Sequence, residues 1–457
     1  MSIFPKITER YQKELVESLK QFVAIDSVYD EKTVTKLDPF GKGVSNALSF
    51  IANLAKKDGF NVTNYDNMVV EILCGEGDKN ITILAHADVV PPGEGWNQDP
   101  FMAVDHGDHF TGRGVADDKG PLLSAYYALK ALRDNHLLGN YQVRFLVGGN
   151  EESGSLGMHH YFYTLKKPQP NAGFSPDASF PLIFAEKGII NFAVKHHFPI
   201  THVKEIHGGV AANSVIEKCE IMMDKDDGFI HFLAVEHYDY EVEYIDKMMK
   251  VIVHGKAAHG ASPELGDNAG MKALDALAKF YQDPNLEIII KHYSSLTGAG
   301  LEASAHSKDM GNNSLNVGLL NYKDNEFSMV VNFRYVDTCK PNVLLENIKK
   351  NSAPFNIEIL GTSKLLYYPK NSPLVKILHH SYIDETKDDK TPILAIGGGT
   401  YAKEADNIIA FGMEHIDYDC YMHSNHERVR KADLFSGIAI YARAIYDLGK
   451  ALDENKI

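Results

Sequence analysis

Over its first 180 or so residues the chain alternates apolar runs of strand length with stretches of helical periodicity, the pattern of an α/β sheet covered by helices. The spacing predicts strands over 68–74, 81–85 and 142–147, and helices over 44–56, 122–133 and 155–165. Polar residues cluster where the strands end, and open α/β sheets bind ligands outside the carboxyl ends of their strands. After about residue 185 the texture becomes strand-rich, with expected strands at 188–194, 219–223, 229–234, 250–254, 314–319 and 327–334. Helical patterns at 269–281 and 342–350 interrupt them, an α+β arrangement. From Pro373 the α/β texture returns, with helices expected over 374–383 and 432–448. The fold expected is therefore a catalytic-type α/β domain with a central mixed sheet flanked by helices, formed by 1–185 and 373–457, interrupted by an inserted α+β domain, 186–372.

The composition narrows the function. Forty-six basic against 61 acidic side chains give a net charge of −15, which opposes binding to nucleic acid or to an anionic membrane surface. No apolar run approaches the roughly 18 residues of a membrane helix, and the N-terminus enters an amphipathic pattern (Tyr11, Leu15, Leu19, Phe22) without a signal-type apolar core. Cys74, Cys219, Cys339 and Cys420 lie far apart and form no CxxC pair, so reduced thiols in a cytoplasmic protein are expected. A small substrate or a metal ion is the partner that remains.

Five short motifs carry candidate chemistry. The run Ile-Thr-Ile-Leu-Ala ends at His86-Ala87-Asp88, where strand alternation puts an imidazole and a carboxylate on one side, as a metal ligand and its orienting partner or as a buried histidine satisfied by an aspartate. Gly112-Arg113-Gly114-Val115-Ala116-Asp117-Asp118-Lys119-Gly120 sets two carboxylates in a glycine-flanked turn before a helix, a pattern shared by ligands and by helix caps. Gly149-Asn150-Glu151-Glu152 follows a strand; one glutamate can hold an ion while its neighbour takes a proton, or both can serve as an acidic first turn. Asp177, in Ser-Pro-Asp-Ala, and His423, in Met-His-Ser-Asn-His-Glu, complete a set of two imidazoles and three carboxylates. The co-occurrence of these elements, most of them at strand ends, favours the metal reading over separate structural ones.

In order along the chain, His86-x-Asp88, the Gly-x-Gly-x-Ala-Asp117-Asp-Lys-Gly turn, Glu151-Glu152, Asp177 and His423-x-x-x-Glu427 resemble the dinuclear metallopeptidase family of aminoacylases, bacterial carboxypeptidases and PepV-type dipeptidases. Phe-Ala-Glu-Lys-Gly (184–188), His254-Gly-Lys-Ala-Ala-His259-Gly and Gly397-Gly-Gly-Thr-Tyr-Ala402 look most like the PepV-type dipeptidases. The resemblance covers essentially the whole chain. It implies that Asp117 bridges two divalent ions, with His86 and Asp177 on one and Glu152 and His423 on the other. Asp88 would orient His86, and Glu151 would be the general base acting on water. The peptide bond after the bridging aspartate is commonly cis in such proteins.

The resemblance also implies that the inserted domain is a lid, expected here as two ferredoxin-like halves because it exceeds the usual single domain of about 100–150 residues. His259 would polarise the scissile carbonyl, Arg334 would pair with the substrate's terminal carboxylate, and Asn213 would face the substrate. Each has a plain alternative: a loop histidine, a strand cation, a turn former. Gly398, Gly399 and Thr400 form either a flexible turn or a backbone cradle for that carboxylate. No P-loop lysine accompanies the glycines, and no GxSxG elbow supports a serine hydrolase. The expectation is a monomeric, cytoplasmic, metal-dependent dipeptidase acting on small peptides, with zinc as the expected ion and manganese or cobalt compatible with the same donors. Aminoacylase or carboxypeptidase specificity on the same core, and a non-catalytic metal- or peptide-binding protein, are the alternatives.

Overall fold

Asn80–His86 is buried along its whole length, as a strand must be when helices cover both faces of a parallel sheet. In the computed structural model, which describes residues 2–457, this segment lies inside a mixed sheet. In chain order the strands are β1 (Asn61–Tyr65), β2 (Val69–Gly75), β3 (Asn80–His86), β4 (Gln142–Gly148) and β5 (Ala172–Ser175). In space they run β1-β2-β4-β3-β5, and Ile408–Ala410 continues the sheet parallel to β5. Strands β4 and β5 both lie parallel to β3, pairing Ala85 with Val147 and Ile83 with Phe174. The carboxyl ends of three adjacent strands therefore open onto one edge, where His86 ends β3 and the segments carrying Glu151 and Asp177 leave β4 and β5.

Helices α1 (Gln12–Val23), α2 (Lys42–Lys57) and α3 (Lys119–Asp134) belong to the same unit, together with a C-terminal helix, Lys431–Asp453. Helix α3 packs on the C-terminal helix, and Ser124 Oγ donates to Leu434 O at 3.0 Å. Close approach at the start of α3 depends on Gly120: a Cβ there would stand 2.1 Å from Val115 O. The turn before α3 is thereby folded tightly back on the helix, which matters below because Asp117 lies in it.

The unit so described comprises residues 2–184, 368–394 and 400–457. A second compact unit comprises Ala185–Tyr367 and Ala395–Gly399. The boundaries read from sequence did not place Ala395–Gly399 there; in the structure Ile396 O accepts from Lys187 N at 3.1 Å and Gly397 O from Arg334, which ties this excursion to the second unit.

One eight-stranded antiparallel sheet organises the second unit, in the order Tyr240–Ile245, Met248–His254, Lys218–Asp224, Val203–Gly208, Ser314–Lys323, Glu326–Tyr335, Gly188–His197, Asn356–Ser363. With Pro284–Tyr293 and Pro341–Asn351 the last four strands follow the β-α-β-β-α-β order of a ferredoxin-like half, whereas the first four, with Asp227–Val235 and Ala269–Tyr281, open on two consecutive strands and depart from that order along the chain. Ile221, Val251, Leu274, Leu277 and Val331 are fully buried in its core. Residues 229–234, read from their apolar run as a strand, are instead helical, within Asp227–Val235. Asp226 decides this: its Oδ1 accepts from Gly228 N at 2.9 Å and Phe229 N at 3.1 Å, an N-cap that commits the following turn to helix. The helix expected at 155–165 is shorter, Leu156–His159, and continues as a π turn, His160–Thr164. Among the described residues no helix is long and apolar enough to cross a membrane.

Asp226→Ala is expected to destabilise the second unit by about 1–2 kcal/mol through loss of the cap. A denaturation midpoint identical to that of the unaltered chain would show that the cap does not hold this helix.

Candidate functional site

The three strand ends and two loops bring the predicted ligands together. His86, fully buried at the end of β3, places Nε2 3.0 Å from Asp117 Oδ1 and 3.8 Å from Asp177 Oδ2. His423 places Nε2 2.9 Å from the other oxygen of Asp117 and 3.4 Å from Glu152 Oε1. The Asp117 carboxylate is thus shared, one oxygen to each histidine. Donor atoms of His86, Asp117 and Asp177 all lie within 4.8 Å of one another, as do those of Asp117, Glu152 and His423. The Asp117–Asp118 peptide bond is cis.

A layer of buried groups holds these ligands. Asp88 faces His86 through its backbone as well as its side chain: Asp88 O lies 3.0 Å from His86 Nδ1 and the carboxylate 3.4 Å away. The same carboxylate accepts from Glu151 N and Glu152 N, both at 3.1 Å, so it fixes the glutamate turn as well as the imidazole. Asp118 Oδ2 accepts from His86 N at 3.0 Å. Glu427, fully buried, accepts from the backbone N–H of Gly114 and Ala116 at 2.9 Å and of Asp117 at 3.2 Å, and its other oxygen takes Arg113 Nη1 at 2.6 Å. Arg113 also donates to Ser424 O at 3.1 Å, which joins the Asp117 turn to the His423 loop. Lys119 Nζ donates to Phe22 O and Ile25 O at 3.1 and 2.8 Å, anchoring that turn to the end of α1. Tyr401, buried, presents its ring edge-on to His86 with centroids 5.9 Å apart.

Sequence reasoning identified Glu427 only as part of a matching motif and gave no role to Arg113, Asp118, Lys119 or Tyr401. Arg113, Asp118, Lys119 and Glu427 lie within four residues of a predicted ligand, whereas Tyr401 is distant in sequence from all of them. Spacing does not reveal that Glu427 is buried against three N–H groups.

The electrostatics are those of a cation site. Burial pushes the Glu152 carboxyl up to about 7 and Asp177 up to about 6, and the Asp117 charge adds to both shifts. Glu151 is raised well above the carboxylate range, by burial first and then by Asp177. Burial acts the same way on Asp117, but hydrogen bonds from His423 and His86 hold it far below the usual range. Those bonds, to Asp117 and then Glu152, push His423 up to about 11. Glu152 Oε1 is buried and makes no well-formed hydrogen bond; His423 Nε2, 3.4 Å away, is its one charged neighbour in the second donor group. Carboxylates crowded and desolvated in this way are stabilised by positive charge, and the nitrogen and oxygen donors suit divalent ions. The two groups share Asp117, and each offers three donors that could hold one such ion.

In the second unit, Gly260 N donates to Asn213 O at 2.7 Å and Ser214 bridges to His259, which sets Asn213 and His259 side by side. A Cβ on Gly397 would stand 2.7 Å from Ala261 Cβ, so residues 397–399 start against the segment that carries His259. Arg334, 3% exposed, donates Nη1 to Gly397 O at 2.5 Å and Nε to Asn332 Oδ1 at 2.8 Å. Burial lowers its pKa to about 10, and no carboxylate is paired with it among the described residues. Asn213, His259, Arg334 and 397–399 are thus neighbours within one unit. Thr400 belongs to the first unit, where its Oγ1 accepts from Ala402 N at 3.2 Å.

Residues 82–447 match the family described as Peptidase family M20/M25/M40. The chain belongs to this family. As an M20-family protein it is a hydrolytic enzyme, a metallopeptidase, and both donor groups, from His86 to His423, fall within the matched span. A Staphylococcus epidermidis protein named "Putative dipeptidase" is 32% identical over 460 residues, covering 96% of this chain and 97% of that protein. Similarly named Staphylococcus aureus proteins are 32% identical over 463 residues, 96% of this chain and 98% of theirs. Among solved structures, an M20-family metallo-carboxypeptidase from Sulfolobus solfataricus superposes with a TM-score of 0.61 at 18% identity, covering 95% of this chain and 99% of that one. The dipeptidase Dug1p of Saccharomyces cerevisiae gives 0.59 at 15%, with 98% of each chain covered. These two likenesses are of fold.

Glu427→Gln removes one charge behind Asp117 and weakens the acceptor of three N–H groups. Metal affinity is expected to fall about 10–100-fold, as when other supporting groups behind metal ligands are changed. Unchanged affinity, by titration with a competing chelator, would show that Glu427 supports only the fold.

Proposed function

We propose that this M20-family enzyme is a dipeptidase acting on unblocked dipeptides. The observation that carries the reading is the Asp117 carboxylate shared between His86 and His423, with Glu151, half-buried, in its field. In this reading residues 1–185 and 373–457 form the catalytic domain and 186–372 a lid. His86 and Asp177 would hold one ion, Glu152 and His423 the other, and Asp117 both. Zinc is the proposed ion, with manganese or cobalt suited to the same donors. When bound, such a pair supplies a nucleophile at neutral pH and positive charge for the developing oxyanion.

The remaining roles belong to side chains. Glu151, whose backbone N–H is held by Asp88, takes a proton from the attacking water and delivers it to the leaving amine. A carboxyl whose affinity for protons is raised by burial suits that exchange better than an exposed one. Asp88 keeps His86 and the glutamate turn in register. His259 polarises the scissile carbonyl, and Asn213 contacts the substrate. Arg334 receives the terminal carboxylate. Its burial without a carboxylate partner among the described residues supports this, because a desolvated guanidinium gains most from a bidentate anion. Gly398, Gly399 and Thr400 would line the same carboxylate with backbone N–H groups. A dipeptide is the substrate proposed because an arginine recognising the terminal carboxylate limits length on that side, and the curated relatives named above support it. The chain is proposed to act as a monomer in a reducing compartment such as the cytoplasm, in keeping with four free cysteines.

Metal-stripped protein is expected to be inactive, and reloading with zinc or manganese should restore hydrolysis of unblocked dipeptides. Glu151→Ala should lower kcat about 10²–10⁴-fold while metal content is retained. Cleavage of N-acetyl amino acids alone would make the chain an aminoacylase, and no metal-dependent cleavage would leave a binding protein. For Arg334→Ala, KM for dipeptides is expected to rise about 10–100-fold, the value of a charge-assisted hydrogen bond. An unaltered KM would remove Arg334 from the substrate site.

A further inference from the structure

Glu414 stands beside the metal ligands but belongs to neither donor group. Its position is set by a short parallel pairing that the catalytic motifs did not reveal: Met413–Glu414 lies against Ala178–Ser179, immediately after Asp177. Ala178 N donates to Gly412 O at 2.7 Å and Phe180 N to Glu414 O at 2.8 Å, so the backbone on either side of the Glu414 side chain is fixed. Met413 is buried, whereas Glu414 is half-buried. Its carboxylate receives one hydrogen bond, from Ser179 Oγ at 3.1 Å.

No cation is paired with Glu414 among the described residues. Nearby Arg430 is already engaged, with Asp417 at 2.9 Å and Asp433 at 2.6 Å. The other carboxylates around Asp117 either ligate, act on water, or accept backbone N–H groups. Burial pushes Glu414 up to about 6, and the charges of Asp117 and Asp177 add to the push. Glu414 is therefore a carboxylate within the field of the ligand shell, poorly solvated, with one neutral donor and no positive partner. Such a group gains from a cation brought by a ligand.

Resting on the dipeptidase reading, we propose that Glu414 binds the protonated primary amine of an unblocked peptide substrate. That ammonium is separated from the scissile carbonyl by a single carbon in an α-amino acid residue, so it must be recognised close to the ligand shell. Glu414 is the carboxylate there with no other assignment. It is a specificity residue that selects a free amine; Ser179 positions it.

The test uses the full chain loaded with zinc or manganese. KM is measured for an unblocked dipeptide, and Ki for its desamino analogue, which lacks the ammonium and competes at the same site. Glu414→Gln should raise KM about 10–100-fold, the value of a charge-assisted hydrogen bond, while Ki stays unchanged. Glu414→Asp, which keeps the charge on a shorter arm, should raise KM less than Gln does; if the Gln variant does not fold, a raised KM with unchanged Ki in the Asp variant decides the matter. Unchanged KM, or KM and Ki weakening by the same factor, would overturn the assignment and make Glu414 structural. Absence of dipeptide cleavage by the unaltered chain would instead refute the dipeptidase reading.

Discussion

The structure of the site follows from one constraint, that a single buried carboxylate must face two imidazoles. Asp117 offers one oxygen to His86 and the other to His423, which come from opposite ends of the chain. A carboxylate has only two oxygens, so neither histidine can move without breaking the shared geometry. Burial raises the cost of leaving either side unpaired. The parallel strands β3, β4 and β5 meet this constraint by delivering His86, Glu152 and Asp177 to one sheet edge, and the turn before α3 brings Asp117 over it.

Behind that carboxylate lies a set of groups whose work is to hold backbone. Glu427 gathers three N–H groups of the Asp117 turn and balances Arg113, which in turn holds the His423 loop. Asp88 performs the equivalent service for Glu151 and Glu152, and Asp118 for His86. Each acidic group is buried, and the hydrogen bonds each accepts come chiefly from backbone donors, with Asp118 Oδ1 left unpaired. The first unit therefore carries its negative charge as two layers, an inner one that crowds ligands together and an outer one that fixes them.

Much of this was legible in the sequence because ligands sit at strand ends and in glycine-flanked turns, where side chains are few and their spacing is informative. His86, Asp117, Glu152, Asp177 and His423 come together in the two groups that the family resemblance implied. The α/β and α+β textures were also readable, since periods of 2 and 3.6 differ over a few turns. What was hidden depended on contacts distant in sequence. Residues 229–234 read as a strand by hydrophobicity, and only the Asp226 cap and packing against Ala269–Tyr281 make them helical. Glu427 looked like a motif end until burial gave it three N–H partners, and Glu414 looked unremarkable until a two-residue strand pairing set it next to Asp177.

The shared role of Asp117 is tested most directly by counting ions. Equilibrium titration of metal-stripped protein should give two divalent ions per chain. Asp117→Asn should weaken both sites, whereas His423→Ala should weaken one and leave the His86 site intact. A single ion in the unaltered chain, or two full-affinity sites remaining in Asp117→Asn, would contradict a carboxylate shared between two metals.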